Sequence, residues 1–191
     1  MSETIRCFLA FDLENNEVFR KLVSIQKLMI KTGANLKIVK PQNLHFTLRF
    51  LGNITLDLID KISTKMEKIN FNPFSIELKG MGVFPNLNSP RVIWVGITAG
   101  TKTMNSIFDQ IEIQLRQLGL DPDYRGFSPH LTLARVKSNR NSDHLINFVK
   151  THVDYLIGTV NLNSIHLKKS ELFPTGPIYS TINEFPSKVE V

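Results

Sequence analysis

The chain repeats itself. His45-Phe46-Thr47-Leu48 returns as His130-Leu131-Thr132-Leu133, 85 residues further on. With 5 His among 191 residues, two chance copies of H-x-T-L are expected only about once per thousand shuffles. The flanking segments repeat at the same offset. Arg6 to Phe11 aligns with Arg91 to Gly96, so that Arg6 falls on Arg91, and both runs are aromatic and β-branched enough to form buried strands. An amphipathic helical pattern follows each, carrying Val18, Leu22, Ile25, Leu28 and Met29 in one half and Met104, Ile107, Ile111 and Leu115 in the other. A second helical pattern follows each H-x-T-L, with Leu58, Ile59, Ile62 and Met66 matched by Leu145, Ile146 and Val149. Each half closes on an alternating strand, Phe74 to Leu78 or Thr159 to Ile165, which buries one face only.

A β-α-β-α-β unit made twice predicts an α+β, bilobal fold with pseudo-two-fold symmetry. The two H-x-T strands should lie side by side at the junction and open on a central cleft. The first repeat spans about 4–81 and the second about 90–168, within a single domain covering 1–191. Gly82 to Pro90, rich in Gly, Pro, Asn and Ser, reads as the inter-lobe turn. A further turn, Leu172 to Pro177, precedes a last strand at about 178–183 that has no counterpart in the first half.

In a strand, side chains at i and i+2 share a face, so each His forms one hydrogen-bonding unit with its Thr. Two histidines suit metal-free opening of a phosphodiester. One takes a proton from the attacking oxygen while the other gives one to the leaving oxygen, and the Thr hydroxyls can hold the non-bridging oxygens. Zinc is the competing chemistry and fits poorly. Neither motif contains an acidic or cysteine ligand, and a tetrahedral site needs a third side chain. His144, His152 and His166 are available, but none has a mate in the first half, and scattered histidines are more often surface residues. A site without metal is expected. Nor is a cofactor signalled, since there is no P-loop pattern and no Gly-rich strand-turn-helix segment.

A formal charge of +6 and a pI near 9.5 suit an anionic partner, nucleic acid before membrane. A solvated face with surplus lysines would give the same numbers, so the motifs must decide. The one cysteine, Cys7, falls in a core strand and excludes an internal disulfide or a thiolate metal cluster. No signal-peptide pattern and no run of 18 apolar residues occurs, so a cytoplasmic protein is expected, acting away from membranes and as a monomer.

The motifs in their surroundings, Asn43-Leu44-His45-Phe46-Thr47-Leu48-Arg49-Phe50-Leu51-Gly52 and Phe127-Ser128-Pro129-His130-Leu131-Thr132-Leu133-Ala134-Arg135, resemble those of the two-histidine (2H) phosphoesterase superfamily. Within it the chain is most similar to the prokaryotic RNA 2′,3′-cyclic phosphodiesterases, also called 2′-5′ RNA ligases. Gly82 to Pro85, Pro90 to Gly96 and Leu172 to Tyr179 extend the similarity over nearly the whole chain. The resemblance implies a V-shaped cleft and metal-independent hydrolysis of a terminal 2′,3′-cyclic phosphate to a 2′-phosphomonoester, on RNA ends that include tRNA fragments. It implies His45 as proton donor, His130 as proton acceptor, and Thr47 and Thr132 on the phosphate. The same chemistry with a 5′-hydroxyl in place of water implies a 2′-5′ ligase. From the residues alone, the two histidines are equivalent.

For the binding shell the resemblance adds Arg135. Strand parity turns that residue away from the His/Thr face unless the strand bulges or ends first. Arg91 and Arg125 are further candidates for RNA phosphates, although Arg91, whose repeat mate is Arg6, fits a solvent-facing role equally well. Phe84, Trp94 and Tyr179 could stack on a terminal base. Phe84 falls in the expected inter-lobe loop, and Trp94, in a core strand, also fits a structural role. Two alternatives remain open at this point: a cyclic phosphodiesterase for mononucleotide or ADP-ribose cyclic phosphates, and a non-catalytic RNA-binding module.

Overall fold

The computed structural model describes residues 3–124 and 126–188. Within them run β1 (Thr4–Asp12), α1 (Asn16–Ile30), β2 (Leu36–Ile38), β3 (His45–Thr55), α2 (Leu56–Met66), β4 (Phe74–Phe84), β5 (Val92–Ala99), α3 (Thr101–Arg116), β6 (His130–Val136), α4 (Ser142–Thr151), β7 (Leu156–Leu162), β8 (Ser164–Phe173) and β9 (Gly176–Pro186). The repeated order of elements is present. Among the described residues no helix is long and apolar enough to cross a membrane.

Helix α1 starts where Asn15 accepts hydrogen bonds from the Glu17 and Val18 N–H groups, both at 3.0 Å. It buries Val18, Leu22, Ile25 and Met29 of the stripe that the periodicity marks, whereas Leu28, marked with them, is exposed. Helices α3 and α4 do the same with Met104, Ile107, Ile111 and Leu115, and with Leu145 and Val149. Cys7 is buried in β1, where desolvation pushes its thiol up to about 11.

The strands form two sheets, in the orders β3-β1-β8-β9 and β2-β6-β5-β4-β7. Each H-x-T strand pairs with the first strand of its own repeat, but the third strand beside them comes from the other half. β8 completes one sheet and β4 the other. The chain crosses between sheets to reach β2 and return to β3, again after α2, and once more at Asn163, so the single strand expected over Thr159 to Ile165 is two strands in different sheets. The expected inter-lobe turn is corrected for the same reason. β4 and β5 are hairpin partners, with Phe84 opposite Val92, so the stretch after Phe84 closes a hairpin within the five-stranded sheet.

Two bulges matter for the site. The β1/β3 register runs from Ala10–Thr47 to Leu9–Arg49, leaving Leu48 unpaired. The β5/β6 register runs from Trp94–Thr132 to Ile93–Ala134, leaving Leu133 unpaired. A bulge inverts strand parity beyond it, so both residues after each break, Leu48 and Arg49 or Leu133 and Ala134, are buried. The Leu133 carbonyl is taken up by the Val39 N–H at 2.9 Å and by the Gln26 side chain at 3.0 Å, which explains a buried glutamine on α1. These registers relate the first strands by 84 residues, Ala10 to Trp94. Arg6 and Arg91 are therefore not structural mates.

Candidate active site

His45 and His130 each open their strand, and both line one cavity of about 480 Å³ together with Thr47 and Thr132. Each imidazole is fixed by the same device. His45 Nδ1 lies 2.7 Å from the Asn43 carbonyl, and His130 Nδ1 lies 2.6 Å from the Ser128 carbonyl, in both cases two residues back. A carbonyl can only accept, so Nδ1 carries the hydrogen and Nε2 is the basic nitrogen of each neutral ring. The Thr47 hydroxyl sits 2.9 Å from His45 Nε2 and donates to it when the ring is neutral. Asn43 also donates through Nδ2 to the Pro177 carbonyl at 2.8 Å, tying the turn before His45 to the β8–β9 hairpin.

Aromatic rings hold each imidazole in place. Phe8 and Tyr179 flank His45 at 4.9 and 5.4 Å between ring centres. Phe84 and Trp94 flank His130 at 5.0 and 6.3 Å. Trp94 pairs with Thr132 and so lies on the site face, where its ring is only partly buried. Gly82 makes room for it, since a Cβ there would stand 2.2 Å from the indole.

Burial pushes both imidazoles below their ordinary pKa. At His45 the Asn43 carbonyl and the Asp12 carboxylate pull upward, while Lys168 and His130 push further down. At His130 the Ser128 carbonyl pulls upward and Arg135 pushes down. The Tyr179 phenol is raised, by burial above all, and stays protonated as a donor at neutral pH.

The bulge at Leu133 returns Arg135 to the site face, and it lines the cavity beside Tyr179. Arg91 is exposed and is not among the lining residues; its backbone bridges Phe84 and Val136 in the hairpin. Arg125 lies outside the described residues. The histidines left over from the motifs go elsewhere. His144 is exposed, and His152 packs on Phe148 and Tyr155. His166 lies inside β8, which begins at Ser164, and is buried rather than on the surface. Among the described residues no three His, Cys, Asp or Glu side chains gather in a way that could hold a metal ion.

Sequence reasoning missed Phe8, Phe50, Arg6, Lys37 and Lys40, all of which line the cavity. Phe50 had a signal available, because it is the repeat mate of Arg135 and follows the matching bulge. Among the described residues no carboxylate pairs with Arg6, Lys37, Lys40 or Arg135, so the cleft is rimmed by uncompensated cations.

Two H-x-T units on one cavity with a cationic rim are the site features of a two-histidine phosphoesterase. The LigT like Phosphoesterase family model matches the chain twice, over residues 13–94 and 95–179, one match for each copy of the motif. The chain belongs to that family. It is 38% identical to the RNA 2′,3′-cyclic phosphodiesterase of Aeropyrum pernix over 86% of this chain and 93% of that one. It is 35% identical to the Methanothermobacter thermautotrophicus protein of the same name over 95% and 98%. A crystal structure of a Thermus thermophilus protein superimposes with a TM-score of 0.79 at 26% identity, covering 95% of this chain and 97% of that one. E. coli LigT complexed with 3′-AMP gives a TM-score of 0.79 at 21% identity over 98% and 100%, a likeness of fold.

Proposed function

We propose that the chain is an RNA 2′,3′-cyclic phosphodiesterase that opens the cyclic phosphate to a 2′-phosphomonoester without a metal. The observation that carries the proposal is the pair of H-x-T units on one cavity, each with Nδ1 bonded to its own backbone and Nε2 left for chemistry. The relatives' names supply the substrate. His130 Nε2 takes a proton from water as the water oxygen bonds to phosphorus. The P–O3′ bond breaks, and His45 Nε2 gives its proton to O3′, leaving a 3′-hydroxyl and a 2′-phosphate. Thr47 and Thr132 donate to the non-bridging oxygens, and Arg135 offsets their charge. A 5′-hydroxyl in place of water gives a 2′-5′ linkage, and the histidines exchange roles when that linkage is cleaved.

The test compares wild type with His45→Ala and His130→Ala on a short RNA ending in a 2′,3′-cyclic phosphate, in chelator-treated buffer. Both variants are expected to fold and to lose turnover, each by a factor of about 10² or more. A wild type that binds this RNA without opening it would put the non-catalytic binding module in place of the enzyme.

A further inference from the structure

The repeat makes the two histidines look equivalent, yet the residues opposite them differ. On β1, Asp12 is the cross-strand partner of His45. On β5, the matching partner of His130 is Gly96. Directly opposed residues on one sheet face have Cβ atoms about 4.5–5.5 Å apart, so His45 has a carboxylate as its neighbour. A side chain would be crowded in the other half, because a Cβ on Gly96 would stand 3.0 Å from the Lys79 carbonyl and 3.3 Å from the Trp94 ring. His130 shares its strand and its cavity with Arg135 instead.

We infer that Asp12 is a positioning residue that makes the pair unequal, holding the proton on His45 so that this histidine serves as the acid and His130 as the base. The inference rests on the acid-base reading proposed above. An anion beside an imidazole favours its charged form, and a cation disfavours it. Asp12 is itself held in place. Lys168 of β8 donates to both carboxylate oxygens, at 2.7 and 2.6 Å, and to Thr181 of β9 at 3.3 Å. His166 Nδ1, which has no hydrogen-bond partner among the described residues, lies 3.3 Å from Asp12 Oδ2, and its Nε2 lies 3.7 Å from Glu184.

The titratable and charged groups around His45 are thus Asp12 on β1, Lys168 and His166 on β8, Tyr179 and Glu184 on β9, and His130 across the cleft. Lys168 opposes Asp12, but Asp12 stands next to His45 in the ladder while Lys168 is one strand further away. After the dominant effect of burial, the upward pull of Asp12 on His45 exceeds the downward push of Lys168, and Arg135 pushes His130 down.

The test follows the His45 ring by NMR titration, alongside the pH profile of kcat, in wild type, Asp12→Asn, Lys168→Met and the double variant. Asp12→Asn is expected to move the His45 titration and the basic limb of kcat to lower pH, and Lys168→Met to move both to higher pH. The double variant, which leaves no unpaired buried charge and so guards against misfolding, should titrate between Asp12→Asn and wild type. A generic loss of structure would not move one limb in opposite directions. An unmoved His45 titration in folded Asp12→Asn, or in the double variant, overturns the role of Asp12. A titration that moves while the basic limb stays put upholds the hold of Asp12 on the proton and overturns the acid role of His45.

Discussion

Arg49 offers a measurable test of how the two motifs are locked together. It follows the bulge in β3, and its side chain is about 10% exposed. Its Nε donates to Glu112 of α3 at 2.5 Å, and its terminal nitrogens donate to the carbonyls of Phe50 at 2.7 Å and Asp121 at 2.5 Å. The other Glu112 oxygen accepts the Asp123 N–H at 3.1 Å. One guanidinium thus fixes the segment that leads to Ser128 and His130 against the strand that carries His45. Removing one partner of such a buried pair leaves the other charge uncompensated, at a cost of about 3–5 kcal/mol. For a chain of this length, about 2–4 °C of Tm is lost per kcal/mol, so Arg49→Met should lower Tm by roughly 6–20 °C.

The double variant Arg49→Met with Glu112→Leu removes both charges together. Its loss should fall short of the summed single losses by about 1–3 kcal/mol. Full recovery is not expected, because the Asp121 carbonyl and the Asp123 N–H lose their partners. Calorimetry on the three variants reads the cycle directly. A single-variant loss below about 1 kcal/mol, the range of an exposed pair, would refute the reasoning, as would strict additivity.

Gly82→Ala brings a methyl against Trp94, and overpacking of this kind costs about 1–3 kcal/mol; the single tryptophan of the chain should report it as a changed fluorescence spectrum. Thr132→Val keeps the shape of the strand and removes a phosphate donor, so kcat should fall about 10²-fold with Tm nearly unchanged. Stability should also depend on His45. Its folded pKa is lowered by burial, so below about 6.5 the unfolded chain binds the proton first and stability declines as pH falls towards the folded value, while nothing is lost above that range. Thermal melts at pH 7.5 and 5.5 should show a smaller difference in His45→Asn than in wild type, and an equal difference would count against the buried imidazole.

The duplication, its helices and the four motif residues could all be read from the chain because each leaves a periodic mark: a two-residue alternation, a helical stripe, an exact offset. The exchange of β4 and β8 between sheets leaves none. Strand parity fixes which face a residue occupies and says nothing about which sheet receives the strand. The same limit explains the turn after Phe84, assigned between lobes although it closes a hairpin. Arg135 shows a different boundary. Parity excluded it unless β6 bulged, and the bulge rests on packing and on Gln26 and Val39 capturing the Leu133 carbonyl, partners 107 residues away in one case. Lys37 and Lys40 went unnoticed because β2 is only three residues long, too short for any period to show.

The central claim is tested most directly by identifying the product that wild type forms from a short RNA with a 2′,3′-cyclic phosphate end in the presence of a chelator. Phosphorus NMR is expected to show the cyclic phosphate replaced by a 2′-phosphomonoester alone, at an undiminished rate. A 3′-phosphate, or turnover that stops when metal is removed, would contradict the division of labour between His45 and His130.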